Sequence, residues 1–120
     1  MEVQRNILII GSSIAGVTAA ESARKQDPEA RITIISRDLH IPYYRLRICE
    51  VLDDPALADQ LALHPLEWYA ERRIELLLGR EVRSIDRFRK MIVCSDNAEI
   101  PYSSLIIATG SGSFVPPIPG

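Results

Sequence analysis

Small residues near the amino terminus are spaced as a turn that holds a diphosphate would require. Gly11 fills the first position, where a glycine allows a tight bend after a strand, and Gly16 fills the third, where a helix packs on that strand. Ser13 stands at the second position, where its β-carbon would move a phosphate slightly outward and its hydroxyl could donate to it. The candidate loop is made of Gly11, Ser12, Ser13, Ile14, Ala15 and Gly16.

The flanking segments predict the elements that such a loop needs. Residues 5–10, with the apolar run Ile7 to Ile10, predict a strand buried on both faces, as in a parallel sheet. A helix is expected from about Ile14 to Gln26, with a stripe of small residues that lets it lie close to the sheet. Residues 31–36, rich in β-branched side chains, predict the second strand. This context indicates a nucleotide site at the helix start; the alternative is a tight turn without a ligand.

The end of the second strand is where a dinucleotide site has an acidic residue for the ribose hydroxyls. The chain offers Ser36, Arg37 and Asp38 there. Ser36 is best placed but is a weak partner for a diol, and Asp38 could substitute from the loop. Arg37 could bind a 2′-phosphate, stack on an adenine or face water. All three are candidate cofactor-binding residues.

The remaining chain predicts several short helices and further strands, with one helix start at Asp54 as the cap and Pro55 in the first helical position. Residues 45–52 and 65–73 are expected to be helical, the second segment with Trp68 and Tyr69 as packing anchors. Further strands are predicted at residues 74–79, 82–87, 91–95, 99–102 and 104–110. The fold class is therefore α/β: a Rossmann-like parallel sheet with helices and an inserted three-stranded antiparallel β-meander.

Composition and charge exclude several classes of protein. With 120 residues, 47% of them hydrophobic and 25% charged, the chain has the composition of one ordinary globular domain. Its longest apolar runs are strand-sized and too short to span a bilayer, and a net charge of −2 does not support nucleic-acid binding. No export signal is recognisable, so we expect a cytoplasmic location and no membrane partner.

The metal-ligating and nucleophilic residue types are sparse. Cys49 and Cys94 are far apart in the sequence, and His40 and His64 are isolated, so neither a metal site nor a structural disulfide is expected. Cys49 is expected to be a small buried thiol; the alternative is a reactive cysteine, which would need a lowered pKa.

Several segments in this order resemble one protein superfamily. They are the Gly11–Gly16 loop, Ile41-Pro42-Tyr43-Tyr44-Arg45, Glu67-Trp68-Tyr69, Val82-Arg83-Ser84-Ile85-Asp86, and the stretch from Ala108-Thr109-Gly110 to Pro116-Pro117-Ile118-Pro119-Gly120. Together they resemble the FAD-dependent pyridine nucleotide-disulphide oxidoreductases, most of all the rubredoxin reductase and nitrite reductase large-subunit type. The resemblance implies an FAD/NAD(P)-binding fold and a flavoprotein that transfers electrons.

The resemblance also implies which residues meet the cofactor. It places FAD, and not NAD, in the Gly11 site. Arg45 matches an arginine that lies along the flavin nucleotide, and the residue equivalent to Val82 meets the adenine through its backbone. The last predicted strand ends beside the dinucleotide in this family, which adds Ala108, Thr109 and Gly110.

The chain departs from the family pattern at several positions. The family usually has glycine at Ser13, often an acidic residue near Arg37, and commonly proline at Leu46. Gly112-Ser113 replaces a common Arg-Pro pair. The redox-active Cys-x4-Cys of the disulfide reductases is absent from the sequence, so no catalytic residue is assigned.

Length sets this chain apart from the family. Members continue into an NAD(P)H domain and then return to complete the FAD domain. The resemblance therefore implies that residues 1–112 are the N-terminal half of an FAD-binding domain and that residues 113–120 are a proline-rich linker towards an NAD(P)H domain. Within a longer parent the chain would serve an FAD-dependent NAD(P)H oxidoreductase whose acceptor is, for example, rubredoxin or a nitrite reductase centre. By itself we expect it not to turn over.

Two other functions remain open from the sequence. One is a plain NAD(P)-binding Rossmann domain, in which Arg37 would bind a 2′-phosphate. The other is a non-catalytic nucleotide-binding module that self-associates, a homodimer in which a second copy covers the open sheet edge.

Overall fold

The computed structural model describes residues 4–111 and 116–119. The strands and α-helices of this part are β1 Asn6–Ile10, α1 Ile14–Gln26, β2 Arg31–Ser36, α2 Cys49–Asp53, α3 Leu66–Glu71, β3 Ile74–Leu78, β4 Val82–Asp86, β5 Met91–Cys94, β6 Glu99–Pro101 and β7 Ser104–Ile107. Two 3-10 helices, Arg45–Arg47 and Pro55–Leu61, lie on either side of α2. Among the described residues, no helix is both long enough and apolar enough to cross a membrane.

Four strands form the predicted parallel sheet, in the order β3-β2-β1-β7. Ile10 at the end of β1 is paired with Ile35 of β2 on one side and with Ile107 of β7 on the other. The three strands therefore end at the same edge of the sheet. This common edge brings their following loops together, which a parallel sheet requires of any site built at its carboxyl ends.

Helices α1 and α3 cover one face of this sheet. Ile9, Ile32 and Ile34 point to this side and are at most 1% exposed, packed with Val17 and Ala20 of α1. Burying one branched aliphatic side chain contributes about 1.5–3 kcal/mol relative to leaving it exposed. Alternate residues of β1 and β2 thus form a core with the helices, as the predicted small-residue stripe of α1 requires.

The antiparallel sheet β4-β5-β6 covers the opposite face. Leu8, Ile10 and Ile35 of the parallel sheet pack against Ile92 and Cys94 of β5. The predicted meander is therefore confirmed, and the molecule has three layers: helices, parallel sheet and antiparallel sheet. Because β1 and β2 are covered on both sides, residues 7–10 and, apart from Thr33, residues 32–35 are apolar and do not alternate with polar residues.

The last strand is shorter and more exposed than predicted. A buried strand was predicted from Ser104 to Gly110. In the structure β7 ends at Ile107, which is 63% exposed. In the described part of the chain, β7 is an edge strand whose neighbour is β1. Because β1 ends at Ile10, the pairing ends with one further hydrogen bond, from the Ala108 N–H to the Ile10 carbonyl at 2.8 Å.

The segment between β2 and α3 also differs from prediction. The helix expected over residues 45–52 is divided into the 3-10 helix Arg45–Arg47 and the short α2. Cys49, expected to be buried, is exposed, because it begins a five-residue helix that buries none of its residues. The buried thiol is Cys94. Of the predicted linker, residues 113–115 and 120 lie outside the described part, and residues 116–119 adopt neither helix nor strand.

Candidate functional site

A cleft of about 900 Å³ opens at the carboxyl edge of the parallel sheet. It is lined by the residues that follow β1, β2, β3 and β7. These are Ile10, Gly11, Ser12, Ser13, Ile35, Ser36, Arg37, Asp38, Leu39, His40, Arg45, Arg80, Glu81, Val82, Ala108, Thr109, Gly110 and Ser111. The structure thus brings eleven of the fourteen predicted site residues to one cleft, and Ile14, Ala15 and Gly16 lie beside it at the start of α1.

The first glycine of the loop makes a turn that other residues adopt with difficulty. Gly11 has φ +118°, and its N–H donates to the Ile35 carbonyl at 2.9 Å. A β-carbon there would lie 2.0 Å from the carbonyl oxygen of Ala108. The absence of a side chain at Gly11 therefore allows the end of β7 to approach the turn.

The helix start faces the same edge. Ser13 precedes α1 in extended conformation, and its carbonyl accepts from the Val17 N–H at 3.1 Å, which is the first bond of the helix. The N–H groups of Ile14, Ala15 and Gly16 belong to the first turn, whose donors have no partner within a helix. Ile14 is 63% exposed, so solvent reaches this end of α1. Such an end favours an anion through its free donors and the helix dipole.

Two serine hydroxyls connect the loop after β1 to the end of β2. Ser12 Oγ donates to Ser36 Oγ at 2.9 Å, and both residues are buried, at 4% and 8% exposure. Ser36 Oγ also accepts from the Asp38 N–H at 3.1 Å. Ser36, predicted as the best-placed partner for the ribose, therefore uses its acceptor sites for hydrogen bonds within the protein.

Asp38 and Arg45 face each other at the cleft wall. Asp38 Oδ1 accepts from the His40 N–H at 3.0 Å, and Asp38 Oδ2 lies 3.5 Å from the Arg45 guanidinium. Arg45 also donates to the Tyr43 hydroxyl at 3.3 Å and lies over the Tyr43 ring at 5.0 Å. The arginine that the resemblance assigned to the flavin nucleotide is thus held at the cleft by a carboxylate and an aromatic ring.

The cleft also contains residues that the sequence analysis missed: Leu39, His40, Arg80 and Glu81. The loop after β3 comes here because the Gly79 N–H donates to the Asp38 carbonyl at 2.9 Å and the Arg80 N–H to the Ser36 carbonyl at 2.8 Å. These four residues follow predicted parallel strands, and the loops after such strands lie at one edge of the sheet. Their positions in the sequence could therefore have indicated a place in the cleft.

Val82, Thr109 and Gly110 line the side of the cleft next to β4 and the end of β7. Val82, at the start of β4, is half-buried, and Thr109 is exposed. Gly110 has φ +72°, with open space around a β-carbon placed there, so its conformation and not its packing favours glycine.

The charges at the cleft are predominantly positive. The lining has three positively charged side chains, Arg37, Arg45 and Arg80, and two negatively charged ones, Asp38 and Glu81. The Arg80 guanidinium lies 4.0 Å from the carboxylate of Asp96, a residue that does not line the cleft. Arginine side chains bind phosphates through a planar set of donors and stack on aromatic rings. With the helix start, this arrangement suits an adenine nucleotide that carries a diphosphate.

Comparison with known proteins identifies the family of this chain. A family model described as pyridine nucleotide-disulphide oxidoreductase matches residues 5–120. The chain is 35% identical over 115 residues to the ferredoxin–NAD(+) reductase subunit of the benzene 1,2-dioxygenase system of Pseudomonas putida, covering 96% of this chain and 28% of that protein. It is 32% identical over 105 residues to the NADH-rubredoxin oxidoreductase of Clostridium acetobutylicum, covering 88% of this chain and 27% of that protein.

Solved structures show the same fold. The covalent putidaredoxin reductase–putidaredoxin complex matches with a TM-score of 0.85 and 30% identity, over 96% of this chain and 28% of that chain. The crystal structure of the NADH:rubredoxin oxidoreductase from Clostridium acetobutylicum matches with a TM-score of 0.83 and 29% identity, over 96% and 30%. The chain therefore spans less than a third of the length of these relatives. The resemblance inferred from the sequence is confirmed.

Proposed function

Because the chain belongs to the pyridine nucleotide-disulphide oxidoreductase family, we propose that its cleft binds the ADP part of FAD. One observation carries the proposal: the turn at Gly11, with φ +118°, lines the cleft and leads into the start of α1. A turn of this kind leaves room for phosphate oxygens next to backbone N–H groups. The cofactor-binding residues are the fourteen predicted from the sequence, with Arg80 and Glu81 added by their place in the cleft.

The residues present fit a dinucleotide. The N–H groups of Ser13, Ile14 and Ala15 would hold the diphosphate, and Ser13 would add its hydroxyl. Arg37 and Arg80 would flank the adenosine, and Arg45 would lie along the chain towards the flavin. The cleft volume of about 900 Å³ is within the range of cofactor sites.

The chemistry proposed for the parent is electron transfer. Bound FAD would accept a hydride from NAD(P)H and pass the electrons to an acceptor protein or domain, as the printed names of the ferredoxin and rubredoxin reductases suggest. This chain would bind and orient the cofactor, with residues 1–112 as one half of an FAD domain and residues 113–120 as the connection to an NAD(P)H domain. We propose that the chain alone does not turn over.

A plain NAD(P) site is the second candidate, and one observation favours it. An acidic residue at the end of β2 would repel a 2′-phosphate, but this chain has Ser36 at that position. The next residue, Arg37, is exposed at the cleft. A guanidinium at this place could bind that phosphate. Self-association is a third candidate, since β7 is an open edge that carries the exposed Ile107.

Calorimetric titrations with FAD, ADP, FMN and NADPH test these candidates. We expect FAD and ADP to bind and FMN, which has no adenosine, to bind far more weakly. Tighter binding of NADPH than of FAD would favour the NAD(P) site, and failure of every adenine nucleotide to bind would refute the proposal. Sedimentation with and without FAD reports whether a second copy pairs with the first.

A further inference from the structure

We propose that Ser12 is a positioning residue for ribose recognition: its hydrogen bond to Ser36 makes Asp38 the group that accepts from the ribose hydroxyls. The inference rests on the proposed nucleotide site and deepens it. It assigns a role to Ser12 that goes beyond its place in the phosphate loop.

The first step concerns the acceptor capacity of Ser36. A serine hydroxyl has two acceptor sites and one proton to donate. Ser36 Oγ receives the Ser12 hydroxyl at 2.9 Å and the Asp38 N–H at 3.1 Å. Both acceptor sites are therefore occupied, and the residue is buried, at 8% exposure. A ribose diol, which offers two O–H donors, finds no acceptor at Ser36.

The second step concerns the carboxylate two residues later. Asp38 lines the cleft, and its two oxygens together offer about four acceptor sites. One N–H, from His40 at 3.0 Å, and one guanidinium, from Arg45 at 3.5 Å, use only part of that capacity. Asp38 thus combines a place in the cleft with spare acceptor sites, and hydrogen bonds to a charged acceptor are the stronger kind.

The third step connects Ser12 to the orientation of Asp38. The Ser12 hydroxyl holds the Ser36 hydroxyl in one rotamer, and that oxygen accepts from the Asp38 N–H. Because Ser12 is 4% exposed, water does not readily replace its hydroxyl. Loss of the Ser12 hydroxyl would free the Ser36 rotamer and loosen the backbone at Asp38, while the glycines that shape the phosphate turn stay in place.

Titration with ADP, 2′-deoxy-ADP and 3′-deoxy-ADP tests this relay. The unmodified protein should bind ADP about tenfold more tightly than at least one of the deoxy analogues, the loss expected for one hydrogen bond to a charged acceptor. Asp38→Asn should reduce that ratio to about threefold or less. Ser12→Ala and Ser36→Ala should do the same, by weakening ADP while the affinity for the deoxy analogue stays nearly constant. Ser22→Ala, an exposed serine of α1, is the matched control and should keep the ratio.

The outcomes separate this inference from the proposed function. If Ser12→Ala weakens ADP and the deoxy analogues equally, Ser12 only supports the phosphate turn and the inference is wrong. If Glu81→Gln, and not Asp38→Asn, removes the discrimination, the acceptor is Glu81 and the inference is also wrong, although the site stands. If the unmodified protein binds none of the three nucleotides, the proposed function fails. Amide chemical shifts provide a ligand-free check, because Ser12→Ala should move the Asp38 N–H resonance and Ser22→Ala should not.

Discussion

A β-carbon on Gly16 would lie 2.1 Å from the carbonyl oxygen of Gly11. The two glycines of the loop are five residues apart and have complementary roles. Gly11 turns the chain, and Gly16 lets helix α1 pack on that turn. Atoms at this distance cannot coexist, so any side chain at Gly16 would push α1 away from β1. The separation of sheet and helix, and with it the direction of the helix start towards the cleft, depends on this contact.

Gly11→Val is expected to abolish nucleotide binding and to lower the free energy of unfolding by about 2–4 kcal/mol. The β-carbon would meet the Ala108 carbonyl at 2.0 Å, and a β-branched residue is strained at φ +118°. Calorimetry with ADP and urea unfolding measure the two effects.

Gly110→Ala is the matched control for that variant. It also places a side chain at positive φ, +72°, but in open space, so we expect a loss of stability of only about 1–2 kcal/mol. Unchanged ADP affinity in Gly11→Val would contradict the assignment of the phosphate site.

Arg24→Ala is expected to destabilise the fold by about 2–3 kcal/mol. The Arg24 guanidinium donates to the carbonyls of Asp27, Pro28, Arg72 and Arg73 at 2.8–3.1 Å and so joins the end of α1 to the end of α3. Burial and the neighbouring Arg73 lower the pKa of Arg24, yet the group stays charged at neutral pH.

Arg31→Ala is the comparison for Arg24. Arg31 pairs with Glu75 at 3.2 Å on an exposed surface, where such pairs contribute about 0–1 kcal/mol. Thermal unfolding of the two variants should therefore separate clearly. Equal midpoints would show that the carbonyl contacts of Arg24 contribute little.

The two thiols are expected to react at very different rates with a disulfide reagent. Cys49 is exposed on α2, while Cys94 is 1% exposed in the core. Burial, and secondly the Asp96 carboxylate, raise the pKa of Cys94, which lowers the fraction of reactive thiolate. One thiol should react in the native protein and two after denaturation, and Cys49→Ser should remove the fast phase. A fast phase that survives in Cys49→Ser would place Cys94 within reach of solvent.

Stability should fall at alkaline pH because of Tyr69. Burial raises the pKa of Tyr69 to about 12 from its ordinary value of 10, and its hydroxyl lacks a hydrogen-bond partner among the described residues. Between these values the unfolded chain has lost the proton and the folded chain keeps it, so the free energy of unfolding falls as pH rises. The slope is about 1.4 kcal/mol per pH unit, and below pH 10 this contribution is fully present.

Tyr69→Phe tests the origin of that slope. Phenylalanine keeps the ring in the core and removes the buried hydroxyl, so stability near neutral pH should be equal or higher. Urea unfolding from pH 9 to 12 should show a flatter profile in the variant above about pH 10, where the unfolded chain would begin to lose the tyrosine proton. An identical alkaline slope in both proteins would assign the effect to other groups.

Several features of this protein could be predicted from residue patterns alone. The apolar run before Gly11 predicted β1, the small-residue stripe predicted the buried side of α1, and the meander after Gly79 was predicted with its three strands. These are local properties, set by the period of apolar residues and by the conformations that glycine allows. The exposed position of Cys49 was mispredicted, since α2 is too short for a periodic pattern to indicate which side is buried.

The sequence by itself determined the class of the protein, the phosphate-type loop and the edge of the sheet where a ligand would bind. Tertiary structure alone decided which of these side chains bond to one another and which further residues join them. Ser12 and Ser36 are 24 residues apart and bonded at 2.9 Å, and Arg80 reaches the cleft because β3 lies beside β2. The physical reason is that strand and turn propensities act within a few residues, whereas contacts between loops depend on the order and register of strands far apart in the chain.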